Sequence, residues 1–426
     1  MKKIAILVTG GTIAGRILND ANENSTTFNS KNHNNATFNI KNHNDTTSNI
    51  KNHNNTTSNS KNHNGATLNS ASRNNATFNI KNHNSTTLNS ANHNNATFNS
   101  KNHNDTTLNS ANHNDTTPNI ASRNGTISNS TEYKAGILSV DELLGALPQI
   151  AHIADIYAEQ IANIDSCDMT NEILLRLARR VCALLDEVDG VVITHGTDTM
   201  EESAYFLHLV LPSNKPVVLT GAMRPSNALG SDGLKNLYNA VLVATNAHSS
   251  GVLVVMNDRI FDARGVQKTH TLNADAFSGG EVGYVVGNKV AFYHPRNPSL
   301  QGAFSQNLHL DNLPKVDILY SYANDGLSIA AHALFESGTR GIVVAGSGAG
   351  SIHSAQKITL KELMARGLKV VVSSRVKCGF VALSADDRRD GFIQAGDLNP
   401  QKSRILLMFA LLNANKNDEI ERYFLS

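Results

Sequence analysis

Outside one long polar tract, apolar residues fall into short continuous runs bounded by glycine or polar residues, at 3–8, 189–194, 216–220, 251–257, 316–321, 341–345 and 368–373. Runs of that length without alternation predict strands buried on both faces, as in parallel sheets. Between them the apolar spacing changes to the helical period. Over 170–187, Ile173, Leu174, Leu177, Val181, Leu184 and Leu185 mark one face, and Thr170 stands where it can cap the start. Further helices are predicted at 199–211, 232–247, 326–337, 355–367 and 401–413. Strands alternating with helices predict an α/β fold with mainly parallel sheets. Segment 291–312 breaks the alternation and reads as a linker between a larger N-terminal domain (1–20 and 131–290) and a smaller C-terminal α/β domain (313–426).

The polar tract, residues 21–130, divides into eleven decapeptides in register, such as KNHNNATFNI (31–40) and ANHNDTTPNI (111–120). Each unit is rich in asparagine and offers at most one or two apolar side chains. Two readings compete. A segment that buries so little apolar surface does not offset its ordering entropy and stays disordered, which the composition favours. Alternatively, an exact repeat can stack into a β-solenoid with asparagine ladders. The histidines at 33, 43, 53, 63, 83, 93, 103 and 113 have no acidic or thiol partner in each unit, so a solvated tract is preferred to a metal array.

The formal net charge of +1 gives no global case for nucleic-acid or membrane-surface binding. The insert carries six Lys, two Arg, three Asp and one Glu, a net of +4, which leaves −3 on the rest. Three distant cysteines, Cys167, Cys182 and Cys378, form neither a disulfide framework nor a metal-ligand pattern. No stretch approaches the roughly 18 apolar residues of a membrane span. The start, MKKIAILVTGG, has too short an apolar run for a signal-peptide core, so the expectation is a cytoplasmic protein, with a periplasmic one as the alternative.

Two strand ends carry the candidate chemistry. The first strand runs into TGGTIAGR (9–16), where paired glycines allow a tight turn and Thr9 and Thr12 supply hydroxyls. The loop lacks GxGxxG spacing and a Lys-Ser/Thr ending, which argues against nucleotide binding. The second loop, ITHGTDTMEESAYF (193–206), crowds Thr194, His195, Thr197, Asp198 and Thr199 into one turn before a helix. The plain reading is that Asp198 or Thr199 caps that helix, and Thr199 suits it. Capping does not explain why two strand ends both present threonine beside glycine.

These loops, together with GAMRP, NLYNAV, VVMND, VQKTHT and LNPQK, resemble the bacterial L-asparaginase family, closest to its type II branch. The resemblance covers nearly everything outside 21–130. It implies a two-domain α/β subunit, a homotetramer with sites at the interface of an intimate dimer, hydrolysis of L-asparagine to L-aspartate and ammonia, and no metal or organic cofactor. By the same resemblance Thr12 is the nucleophile and Tyr133, in the lid loop, activates or orients it. Thr197, Asp198 and Lys268 form a second catalytic cluster, and Ser166 and Asp198 hold the substrate's α-carboxylate and α-amino group. The residue types suit amide hydrolysis, which needs an activated hydroxyl, an oxyanion site and a proton for departing ammonia. A lysine among polar groups can serve as base, with an aspartate orienting it.

The chain departs from the family at Cys167, where Gln or Glu is usual, and at Ala349, where many members place an asparagine from the neighbouring subunit and Ser351 is the substitute nearby. Loop 377–390 has no glutamate to offer a neighbour, only Asp386 or Asp387. These changes bear on preference between asparagine and glutamine, so a broader glutaminase-asparaginase is the first alternative. The second is a degenerate enzyme whose repeat serves a surface or interaction role. Thr12 and Tyr133 are 121 positions apart, but only 11 without the 110 residues of the array, which therefore sits inside the lid. As a random coil it would raise the cost of lid closure by roughly 2 kcal/mol.

Overall fold

The apolar run after Met1 forms β1 (Lys2–Gly10), and its alternate residues serve two different cores. Ile4, Ile6 and Val8 pack on one face and Ala5 and Leu7 on the other, which is why the run is continuous rather than alternating. The structure is a computed structural model that describes residues 1–11, 13, 16–18, 132–134, 144–324 and 327–426, together with the strands of the array between 26 and 121. It divides into two units, Met1–Ile17 with Tyr133–Ser426, and Leu18–Glu132.

In the first unit β1 lies in an eight-stranded sheet with β2 (Ala154–Ile164), β3 (Gly190–Thr194), β4 (Val217–Thr220), β5 (Val252–Met256), β6 (Arg259–Asp262), β7 (Glu281–Val286) and β8 (Lys289–Phe292), in the order β2-β1-β3-β4-β5-β6-β7-β8. The first five are parallel and the last three antiparallel. Since β1 has β2 on one side and β3 on the other, the winding reverses there, and the carboxyl ends of β1 and β3 are where such sheets place their ligands. Both threonine loops leave from those two ends.

Helices α1 (Asn171–Leu185) and α2 (Met200–Val210) cover one face, and α3 (Gly233–Thr245) the other. Thr170 caps α1 as its position suggests, accepting the Ile173 N–H at 3.2 Å. A second, parallel sheet of β9 (Val316–Tyr320), β10 (Gly341–Gly346), β11 (Lys369–Ser374) and β12 (Ile393–Gln394) forms the C-terminal part. Its outer face carries α4 (Leu327–Glu336) and α5 (Ser354–Ala365), and the short α6 (Ala385–Arg389) follows β11. Its inner face meets α7 (Pro400–Asn413), which also packs on α2: the rings of Phe206 and Phe409 lie 5.2 Å apart. One hydrophobic core therefore runs through α2 and α7 between the sheets, and the terminal helix α8 (Asn417–Phe424) closes it with Ile420 and Phe424.

Each predicted strand and helix forms within a few residues of its expected bounds. The strands β2, β6, β7, β8 and β12 and the helices α6 and α8 were not anticipated. β2 is an edge strand whose residues alternate in exposure, so it has no continuous apolar run, and β6 to β8 are short antiparallel strands with too few successive apolar residues to stand out.

The second unit consists of two five-stranded parallel sheets. One holds Thr26–Asn32, Thr46–Asn52, Ala66–Ser72, Thr86–Asn92 and Thr106–Asn112. The other holds Ala36–Asn42, Thr56–Asn62, Ala76–Asn82, Asn95–Asn102 and Asp115–Ala121. Successive decapeptides alternate between sheets, so one coil uses two units and each strand pairs with the one 20 positions on, Asn29 beside Asn49 and Thr27 beside Thr47. This is the arrangement of the solenoid reading rather than of the disordered one. The repeat histidines lie outside the described residues. A separate two-stranded sheet pairs Arg16–Leu18 with Glu132–Lys134, the two stretches that flank the array.

His208, buried on α2, has Nε2 2.7 Å from the Ser299 carbonyl, and burial pushes its pKa down to about 4. A histidine depressed in the folded state binds its proton more readily unfolded, so its contribution is intact above about pH 6.5 and is lost as pH falls towards 4. Urea unfolding is expected to show up to about 3 kcal/mol lost over that window. His208→Gln should flatten the slope, and an unchanged slope would dismiss this source.

Candidate active site

The two threonine loops meet through their glycines. Gly11 has φ +79°, and a Cβ there would lie 2.4 Å from the Gly196 nitrogen, so a side chain at this position would push the loops apart. Gly196 is equally constrained, since its Cβ would fall 2.6 Å from Ser166 Oγ. Further bonds fix the crossing: Thr9 Oγ1 donates to the Thr194 carbonyl at 2.8 Å, and the Gly11 N–H donates to the Ile164 carbonyl at 3.1 Å. Thr12 follows Gly11 and Thr197 follows Gly196, so this contact draws the backbones before the two threonines together. Thr12 itself lies outside the described residues. Tyr133 falls in the strand Glu132–Lys134, and its side chain is likewise outside them.

Thr197, Asp198 and Lys268 come together as expected. Lys268 Nζ donates to Thr197 Oγ1 at 2.9 Å and to Asp198 Oδ1 at 2.5 Å. The lysine side chain is only 15% exposed and the aspartate 61%, so one end of the cluster is dry and the other open. Ser166 joins it: its buried Oγ accepts the Asp198 N–H at 3.2 Å. Thr199 occupies the N-cap position of α2 but makes no side-chain cap bond. Its hydroxyl donates instead to the Ser166 carbonyl at 2.7 Å, tying the Ser166 turn to the Thr197 loop, which corrects the capping role expected for it.

Three groups that composition did not single out hold the cluster. His195 is fully buried, and burial lowers its pKa and keeps the ring neutral. Nδ1 lies 2.6 Å from the Gly196 carbonyl and Nε2 2.8 Å from Ser203 Oγ. A carbonyl only accepts, so Nδ1 carries the proton and Nε2 accepts from the serine. Glu201 is buried at the start of α2, and its Oε2 accepts the backbone N–H of Lys268 at 2.5 Å. Its other oxygen accepts from Asn399 Nδ2 at 2.8 Å. Lys402, in α7, reaches the carbonyls just before Lys268. The only sequence signal for the last pair was the Asn-Pro-x-Lys pattern in LNPQK, which predicts a capped helix start rather than a link to another domain.

Ser351 and Asp386 are not brought to this cluster within the chain. Ser351 follows β10 and pairs its backbone with Ser347, and Asp386 on α6 forms an ion pair with Arg389 at 3.0 Å. Among the described residues no three His, Cys, Asp or Glu gather as a metal-ligand set, and no helix is long and apolar enough to cross a membrane.

Residues 119–298 match the asparaginase N-terminal domain family and residues 315–424 the glutaminase/asparaginase C-terminal domain family. The chain is 45% identical over 302 residues to L-asparaginase 2 of Bacillus subtilis, covering 69% of this chain and 80% of that protein. It is 41% identical over 305 residues to the glutaminase-asparaginase of Pseudomonas fluorescens, covering 68% and 83%. A crystal structure of the probable cytoplasmic L-asparaginase of Campylobacter jejuni superposes with a TM-score of 0.72 at 44% identity, covering 100% of this chain and 99% of that one.

Proposed function

From the premise that this chain belongs to the glutaminase/asparaginase family, we propose that it hydrolyses L-asparagine to L-aspartate and ammonia with Thr12 as nucleophile. The observation that carries the reading is Lys268 held on Thr197 and Asp198 next to the Gly11–Gly196 crossing. Thr12 Oγ attacks the side-chain amide carbon, its proton passing to a base of the site with Tyr133 orienting the hydroxyl. Backbone N–H groups of the two glycine turns take up the charge on the amide oxygen. The tetrahedral intermediate breaks its C–N bond, and ammonia leaves with the proton, giving an ester on Thr12. The Thr197–Asp198–Lys268 cluster then activates water, whose attack frees L-aspartate and restores Thr12.

The open carboxylate of Asp198 and the hydroxyl of Ser166 suit the α-amino and α-carboxylate groups. Ser351 and Asp386 would take part only if a neighbouring subunit brought them to the site, as a homotetramer of intimate dimers would. The test is ammonia release with L-asparagine and L-glutamine compared by kcat/KM. No release from folded protein refutes the reading, and comparable values for the two amides replace it with the glutaminase-asparaginase one.

The array is an addition to this machinery. The flanking strands Arg16–Leu18 and Glu132–Lys134 pair with each other, so the chain ends that the array separates lie side by side. A variant lacking 21–130 is expected to keep or raise kcat/KM for L-asparagine. A folded deletion variant that loses more than tenfold would assign the array a catalytic part.

A further inference from the structure

The segment Asp262–Lys268 runs from β6 into a two-residue strand, Gln267–Lys268, that carries the catalytic lysine and whose only strand partner among the described residues is Phe277–Ser278. So short a ribbon does not fix a side chain by its own pairing. It is gripped from the C-terminal domain instead. Lys402 Nζ donates to the carbonyls of Ala263 at 3.0 Å, Arg264 at 2.7 Å and Val266 at 2.5 Å. Three acceptors use all three protons of an ammonium, whereas a neutral amine has only two to give. Asn399, whose Oδ1 caps the Lys402 N–H at 2.9 Å, also donates to Glu201, and Glu201 accepts the Lys268 N–H. Arg264 adds a two-point ion pair to Asp397, at 2.9 and 2.7 Å.

We propose that Lys402 and Glu201 are positioning residues that set the backbone of Lys268, and through it the contact of its Nζ with Thr197 and Asp198. The inference rests on the catalytic part given to Lys268 above. A fully buried lysine is a costly way to join two domains that already share a hydrophobic core. Burial depresses the Lys402 pKa to about 8, with Glu201 and Asp262 opposing the shift, so the site spends stability on this cation. What the cation supplies that packing does not is direction: three carbonyls, five, four and two residues before Lys268, held at one point.

The test compares kcat and KM for L-asparagine in Lys402→Met, Glu201→Leu and Glu201→Gln, normalised to the folded fraction from circular dichroism and thermal melts. A displacement of about 1 Å at a reacting group costs up to ~10²-fold, so kcat should fall at least ~10-fold in Lys402→Met and Glu201→Leu with KM changed less than about threefold. Glu201→Gln keeps one oxygen to accept the Lys268 N–H but sets its NH2 against the Asn399 donor, so it should recover part of the loss. If Lys402→Met does not fold, the Glu201 pair decides. Normal kcat per folded molecule, or no recovery in Glu201→Gln, overturns the proposal. Lys268→Met is run alongside: if it keeps full activity, the catalytic reading has failed, whereas its inactivity with normal positioning variants sinks this inference alone.

Discussion

Thr12→Ala should lower kcat for L-asparagine by at least ~10⁴-fold while leaving a cooperatively folded protein, because a nucleophile has no partial substitute. The second threonine cannot take over. Thr197 Oγ1 already accepts from Lys268 Nζ, and its loop is stitched to β4 by the His195 N–H on the Thr220 carbonyl at 2.8 Å. Folding should survive because Gly10, Gly11, the buried Ile13 and the Thr9 hydroxyl bond to the Thr194 carbonyl hold the turn on either side of Thr12. Thr12→Ser keeps the nucleophilic atom and should retain measurable turnover. Single-turnover ammonia release, with mass spectrometry of quenched enzyme for a Thr12 ester, decides it. More than ~1% of wild-type kcat in Thr12→Ala would move the nucleophile elsewhere.

Much of this site was legible because its parts sit at chain features that have physical signatures. A strand buried on both faces writes itself as a continuous apolar run, and β1 and β3 both end in glycine and threonine, so the two loops stand out. Lys268 was found only by resemblance: it lies on a two-residue strand with no pattern of its own. Glu201 and Lys402 read as an ordinary acid in a first helical turn and an ordinary surface lysine. Their burial comes from α2 packing on α7, a contact 198 residues apart at Asn399–Glu201 that no local periodicity encodes. The array shows the opposite failure. Counting apolar side chains per decapeptide argued for disorder, yet exact repetition lets identical backbones pair 20 positions apart, and that term grows with repeat number rather than with hydrophobicity.

Lys268→Met should reduce kcat by about 10³-fold with little effect on stability, the range expected for loss of a positioned acid–base group. The stability half of this expectation follows from exposure. Asp198 is 61% exposed, and an ion pair with one end in water is worth at most about 1 kcal/mol. The lysine's remaining bond is to a threonine hydroxyl oxygen, which can accept from another donor. The cluster is therefore not retained for what it adds to folding. Asp198→Asn should also cost activity, and it should raise KM as well if, as proposed, the same carboxylate holds the substrate's α-amino group. If lysine and aspartate act as one unit, the double variant should lose little more kcat than Lys268→Met alone. Losses that multiply would mean that the two residues work independently, with Lys268 serving as a local cation rather than as the base that Asp198 orients.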